Sequence, residues 1–203
     1  MKQDSFDAEQ VTAGLTQLAS FLRMARWREA EPLGLTPTQT GCLSLLAGRG
    51  PCRVTTLARL LGVTQPTASD AVAALERKAM VERRRDPDDG RASRLHLTAR
   101  GARIAAGVAR PPAALSRAVD ALSPEERAGF RLALSKTILS LQQAGAIEPQ
   151  RLCLTCRFFR PYVHSDAARP HHCAFVDAAF GDACLRLDCG DHEEADAGQE
   201  ASA

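Results

Sequence analysis

The chain has 203 residues, of which 45% are hydrophobic and 4% aromatic, and its formal net charge is +2. This length allows one ordinary domain plus an appendage, and the small aromatic share argues against a β-sandwich and favours helices. Residues 51–103 hold eleven Lys and Arg against six Asp and Glu, whereas residues 151–203 hold five against nine. A basic middle and an acidic end predict a nucleic-acid-binding face followed by a separate module.

Neither a signal peptide nor a membrane span is expected. The first ten residues, MKQDSFDAEQ, are polar and partly acidic, and no run of eighteen apolar residues occurs. We therefore expect a cytoplasmic protein. Disulfides are rare in that compartment, so the seven cysteines are interpreted as metal ligands, reactive thiols or buried small side chains.

The first third of the chain predicts two helices. Residues 8–30 place apolar side chains at helical spacing, namely Val11, Leu15, Leu18 and Leu22. A second helix is expected to begin after Thr36, because Thr36 and Gln39 form a capping box around Pro37. It should end near Gly48.

Residues 55–80 have the pattern of a helix-turn-helix. Gly62 is suited to end the first helix and Thr64 to cap the second, whose inward side carries Ala68, Val72 and Leu75. The opposite side is polar, and its members are the predicted base-reading and backbone-contacting residues Gln65, Thr67, Ser69, Asp70 and Arg77. A helix of this kind fits the major groove of DNA.

A basic hairpin follows the helix-turn-helix. Residues 81–85 and 93–97 read as strands, and the DPDDGR segment between them is rich in turn formers. The hairpin carries the arginines that we predict to contact DNA, namely Arg83, Arg84, Arg91 and Arg94. Helix-turn-helix and hairpin together predict a winged helix over residues 34–98.

The predicted fold is mainly α, with a small β-wing. Thr98 and Ser123 are further helix caps, Pro111 and Pro112 interrupt the helices between them, and helical pattern extends over residues 98–145. Residues 148–192 form a small Cys/His-rich module, and residues 193–203 are polar and predicted to be disordered.

Residues from about 34 to 104 resemble the MarR family of winged-helix repressors. The resemblance rests on LTPTQ, LARLLGVTQPTASDAVAALERK, VERRRDPDDGRA and LHLTARG, and with its flanking helices it covers residues 1–147. It implies a DNA-binding repressor that is not an enzyme. It also implies a homodimer, built by helices 8–30 and 98–145, on a pseudo-palindromic operator, with regulation by a small-molecule inducer, a metal or thiol oxidation.

The family's motif also assigns roles to two wing residues and reveals a departure. By resemblance, Arg91 is the wing-tip contact to the minor groove, and Asp89 orients it. The recognition helix ends in Gly in the family, whereas this chain has Ala79. A left-handed turn there costs Ala about 1 kcal/mol, so the helix is expected to run on or end differently.

The last quarter of the chain predicts a metal site. Five Cys and four His lie within residues 153–192, and Cys153 and Cys156 form a C-x2-C pair that suits tetrahedral zinc. Cys173 and Cys189 would complete a four-cysteine site. The alternates for one ligand are His172, Cys184 and His192. Zinc, structural or regulatory, is the predicted cofactor.

Two other cofactor states and one other function remain open. The order of the four cysteines also resembles that of high-potential iron–sulfur proteins, so an iron–sulfur or thiol-based redox-sensing regulator is the alternative. A metalloenzyme using Asp188 or Asp191 as acid or base is disfavoured, because no constellation such as H-E-x-x-H is present.

Overall fold

The computed structural model describes residues 2–195, with side chains from Phe6 onward. The chain divides into two compact units, the first ending at Ser116 and the second beginning at Arg117. The predicted boundary near residue 147 lies 31 residues further on, and the last predicted helix belongs instead to the second unit. No helix in the described part of the chain has the length and apolarity needed to cross a membrane.

Five helices and a two-stranded sheet build the first unit. The helices are α1 (Lys2–Ala30), α2 (Pro37–Arg49), α3 (Val54–Leu61), α4 (Gln65–Arg77) and α5 (Ala99–Val108), and the strands are β1 (Val81–Arg85) and β2 (Ser93–Leu97). The strands pair antiparallel, with Val81 opposite Leu97 and Arg85 opposite Ser93. Cys52 adds an isolated bridge to Leu95 on the other edge of β2. This is the predicted winged helix.

The predicted helix ends are confirmed by their capping contacts. The Thr36 side chain accepts a hydrogen bond from the Gln39 N–H, and the Gln39 side chain accepts one from the Thr36 N–H, which completes the capping box. The Thr64 side chain accepts from the Thr67 N–H, and Gly62 takes the left-handed conformation that ends α3 at φ 64°. Ala79 is also left-handed, at φ 53°, and α4 ends at Arg77, so the expectation that this helix would run on or end differently was wrong.

One buried cluster holds the first unit together. Leu43, Leu57, Val72, Leu75 and Leu95 have no exposed surface and come from four different elements. The predicted inward side of α4 is confirmed, since Ala68, Val72 and Leu75 are all buried. Because these residues are held in the core, the other face of α4 is turned outward.

The second unit contains the C-terminal end of one short helix, one long helix and a small sheet. The helix α6 (Ala113–Asp120) crosses the unit boundary and is followed by α7 (Pro124–Gln143), which begins at the predicted Ser123–Glu126 capping box. Strands β3 (Phe159–Arg160), β4 (His171–Cys173) and β5 (Ala178–Phe180) form an antiparallel sheet in that order. The interruption predicted at Pro111 and Pro112 is confirmed by the gap between α5 and α6.

The Cys/His-rich segment packs on α7 instead of standing alone. The turns 153–155 and 182–184 contact α7, and Arg131 of α7 donates to the Leu185 carbonyl over 3.3 Å. Leu152 and Leu185 are almost fully buried between these elements. Residues 193–195 run beside residues 155–157, and the remainder of the predicted disordered tail, 196–203, lies outside the described residues.

Candidate nucleic-acid interface and cysteine cavity

The outward face of α4 is exposed and polar. Gln65, Thr67, Asp70 and Arg77 are exposed and Ser69 is half-buried, so all five predicted α4 contacts lie away from the core. Thr67 is partly engaged, because its hydroxyl lies 2.8 Å from that of the capping Thr64. The helix therefore presents donors and acceptors of the type that reads base edges.

The wing arginines divide into paired and unpaired members. Arg83 pairs with Glu76 at 2.9 Å, and Arg84 pairs with Glu82 at 2.6 Å. Both pairs are exposed and cost little to exchange for phosphate contacts. The Arg91 guanidinium makes no ion pair or hydrogen bond with any of residues 2–195, which leaves it the most available cation of the wing.

The predicted relation of Asp89 to Arg91 takes a specific form. The Asp89 carboxylate accepts from the backbone N–H of Arg91 at 3.1 Å, and its other oxygen lies 3.3 Å from the Arg53 guanidinium. Asp89 thus shapes the backbone of the wing tip, and its contact with Arg91 does not involve the guanidinium.

Sequence reasoning missed the buried carboxylate that anchors the wing. The Asp86 side chain has no exposed surface and lies 2.7 Å from Arg53 Nε and 3.0 Å from Arg94 Nε. Burial alone would raise the pKa of Asp86, but the Asp88 N–H and the two arginines outweigh it and lower the pKa to about 2. Arg94, predicted as a DNA contact, also pairs with Asp88 at 2.5 Å and so holds the wing together.

The four predicted metal-binding cysteines meet at one cavity of the second unit. The cavity measures about 160 Å³ and is lined by thirteen residues: Cys153, Cys156, Phe158, Phe159, Cys173, Phe175, Val176, Ala178, Phe180, Cys184, Arg186, Cys189 and Asp191. Cys184, one of the alternates, lies at the same cavity and is itself exposed. Burial is the first cause of the raised pKa of the Cys153 thiol, and the nearby Cys189, Cys156 and Cys173 raise it further.

Backbone contacts fix the thiols of this cavity from both sides. The Cys153 N–H donates to the Arg186 carbonyl at 3.0 Å, and the Cys189 N–H donates to the Arg151 carbonyl at 2.9 Å. The Arg186 N–H in turn donates to the Cys153 sulfur at 3.2 Å. Cys173 stands opposite Phe159 in the sheet. Segments distant in sequence are therefore held around one space.

The histidine alternates are engaged away from this cavity. His172 contacts Asp177 at 3.2 Å and His164 at 3.2 Å, and His192 lies 2.9 Å from the Thr155 hydroxyl. Burial lowers the pKa of His192. His171 is buried and contacts Asp182 at 2.8 Å. Among residues 2–195, no three His, Cys, Asp or Glu side chains come close enough together to hold a single metal ion.

Comparison with known proteins finds one family model similar to the winged-helix region. Residues 33–92 match the family model described as MarR family. The winged-helix region of this chain is therefore similar to the MarR family, whose members are transcription regulators and not enzymes. No curated protein sequence matches the chain.

Solved structures show the same fold. A MarR family regulator from Silicibacter pomeroyi is 25% identical, with a TM-score of 0.55, and the match covers 63% of this chain and 86% of that one. A MarR regulator from Methanosarcina mazei Go1 is 18% identical, with a TM-score of 0.59 and coverage of 67% and 99%. The S. aureus MepR–DNA complex is 22% identical, with a TM-score of 0.53 and coverage of 64% and 97%. About a third of this chain lies outside these matches.

Proposed function

We propose that this chain is a transcriptional repressor that binds double-stranded DNA as a homodimer, with α4 in the major groove and the wing along the backbone or minor groove. The observation that carries the proposal is the outward face of α4, which is polar and exposed while its inward face is locked into the core. The fold shared with S. aureus MepR, solved in complex with DNA, supports the same docking mode.

The charge of the wing supports a contact with phosphates. Arg83 and Arg84 are held only by exposed acid partners, and Arg91 is unpaired among the described residues. Phosphate oxygens compete well for such arginines, because releasing condensed counterions from DNA favours binding. Arg77 extends the same basic surface from the last turn of α4.

A second copy of the chain is the proposed partner in solution. Helix α1 exposes Val11, Leu18, Met24 and Trp27, with 64%, 41%, 55% and 57% of their surface open. Helix α7 separately exposes Phe130 and Leu141, at 41% and 42%. Apolar helical surfaces of this kind mark an association site, and two copies would match two operator half-sites. The small-molecule inducer implied by the family stays a prediction.

The first test is the loss of DNA affinity in the Arg91→Ala variant. A binding site is selected from random duplexes, and affinity is then measured by fluorescence anisotropy. Removing a wing-tip arginine should weaken binding by about 1–3 kcal/mol, or roughly 5- to 150-fold. Arg110→Ala, which removes an exposed arginine beyond α5, serves as the matched control and should bind like wild type. Unchanged affinity in Arg91→Ala would remove Arg91 from the interface.

A further inference from the structure

We propose that the second unit binds a four-iron, four-sulfide cluster through Cys153, Cys156, Cys173 and Cys189, in place of the single zinc ion that their spacing first suggests. The assignment concerns the second unit alone and does not depend on DNA binding. It rests on the size of the cavity, on the separation of its thiols and on what else lines it.

The separation of the thiols argues against one ion. Zinc binds each sulfur at about 2.3 Å in a tetrahedron, which places the four sulfurs about 4 Å apart. Within residues 2–195 no three candidate ligands meet the spacing for a single ion, although four of the predicted thiols line the same cavity. Thiols that line one space without meeting the spacing for a single ion suit a larger inorganic group.

The volume of the cavity fits such a group. It measures about 160 Å³, whereas a single water needs roughly 10–15 Å³ on a comparable measure. One zinc ion would leave most of this space empty. A compact cluster of eight iron and sulfide atoms would occupy it, with one thiolate bonded to each iron. Four Fe–S(Cys) bonds form on binding, and the four thiol protons are released to solvent.

The walls of the cavity suit a sulfide-bearing cluster. Two aromatic pairs flank the thiols: Phe158 and Phe175 have ring centroids 5.3 Å apart, and Phe159 and Phe180 have centroids 6.0 Å apart. Aromatic and aliphatic walls limit the access of water to the inorganic sulfides, which is one of the protein's means of setting the stability and potential of a cluster.

Arg186 supplies the polar contacts that a cluster of this type requires. Its N–H donates to the Cys153 sulfur at 3.2 Å, and its guanidinium lies 3.8 Å from the Cys189 sulfur. Four thiolates around the cluster carry a net negative charge, and N–H donors to the sulfurs with an adjacent cation stabilise that charge. The same residue therefore touches two of the four proposed ligands.

The test is metal analysis of the full chain after purification and reconstitution without oxygen, using equal amounts of ferrous and ferric iron with sulfide as the probes. We expect four irons and four acid-labile sulfides per chain, with a broad visible absorption. Zinc at one per chain with no sulfide would overturn the proposal, as would two irons per chain or the absence of both metals after reconstitution.

Single Cys→Ser variants identify the ligands. Cys153→Ser, Cys156→Ser, Cys173→Ser and Cys189→Ser should each lose most of the cluster. Cys184→Ser removes a thiol that lines the same cavity but is not a proposed ligand, and it should keep the cluster. Cys42→Ser, in the buried core of the first unit, is the second control. Loss of the cluster in Cys184→Ser alone, with the four proposed variants intact, would overturn the ligand assignment.

A variant that keeps all four thiols guards against simple misfolding. Arg186→Gln should retain the iron and sulfide content while lowering the reduction potential of the cluster, because a positive charge beside the sulfurs stabilises the reduced state. An unchanged potential would contradict the proposed role of Arg186. DNA binding by the cluster-free protein is measured in parallel, so that failure of the cluster and failure of the DNA-binding function are told apart.

Discussion

Ala79 shows how the fold can hold a residue in a backbone conformation that its side chain disfavours. Its φ of 53° lies in the left-handed region, where a Cβ is strained and glycine is not. The turn survives because the Met80 N–H donates to the Leu75 carbonyl, and the Thr98 hydroxyl donates to the carbonyl of Ala79 itself. Surrounding hydrogen bonds therefore impose the conformation that the residue disfavours.

Replacing Ala79 by Gly should stabilise the first unit. Relief of the left-handed strain is partly offset by the greater freedom of Gly in the unfolded chain, so a gain of up to about 1 kcal/mol is expected in urea denaturation. Ala102→Gly, at an exposed position within α5, is the control and should lose about 1 kcal/mol. A loss of stability in Ala79→Gly would show that the left-handed conformation of Ala79 is not strained.

Asp86 makes the wing sensitive to acid. Because its folded pKa of about 2 lies below the ordinary value of 3.8, its contribution to stability is present above pH 3.8 and is lost as pH falls towards 2. Amide exchange of residues 81–97, corrected for intrinsic rates, should therefore accelerate in wild type over that interval. Asp86→Asn should show fast exchange already at neutral pH, whereas Asp70→Asn should behave as wild type. Equal protection in Asp86→Asn would contradict the anchoring role.

At the scale of elements, the junction between α4, the wing and α5 depends on one close approach. A Cβ at Gly101 would lie 1.9 Å from the Met80 carbonyl oxygen, so the backbone of α5 contacts the segment that leads into β1. This contact places the wing beside the recognition helix, which is the arrangement that DNA binding requires.

Substitution of two glycines in α5 tests that junction. Gly101→Ala should destabilise the first unit by about 1–3 kcal/mol, because either the carbonyl or the helix must shift. Gly107→Ala, in the same helix with open space around it, should instead stabilise by up to about 1 kcal/mol. Thermal unfolding, monitored by circular dichroism, distinguishes the two variants. Similar changes in Tm for both would show that the close approach at Gly101 does not restrict the size of the side chain there.

Local signals in the sequence predicted the starts of the helices in both units well, and contacts between distant residues were missed. Thr36, Thr64 and Ser123 act on backbone groups three residues away, so the sequence pattern alone defines their helix starts. The Arg53–Asp86 pair joins residues 33 positions apart, and no local pattern indicates it. Likewise, the helix pattern of α7 predicted its start but not its packing on the turns 153–155 and 182–184.

The spacing of the cysteines along the chain predicted which thiols line the cavity. It did not predict that they fail to meet the spacing for a single metal ion. Cys153, Cys156, Cys173 and Cys189 do line one space, but its volume and aromatic walls arise from β3–β5 and their turns. Those short strands follow no clear alternation in the sequence. The partners of His172 and His192 were likewise set by neighbours brought in by the fold.

At the scale of the whole molecule, the chain combines a MarR-type winged helix with a cysteine-lined second unit. In the proposed function, the first unit binds DNA through α4 and the wing, with two chains on each operator. Several arginines acting together on phosphates would make that binding strongly dependent on salt.

The most direct test is the affinity for the selected duplex as a function of salt, in titrations that also count the chains bound per duplex. We predict two chains per duplex and a logarithmic affinity that falls linearly with the logarithm of salt concentration, with a slope steeper than about −4. A flat salt dependence, or failure to select any duplex, would contradict DNA binding through α4 and the wing.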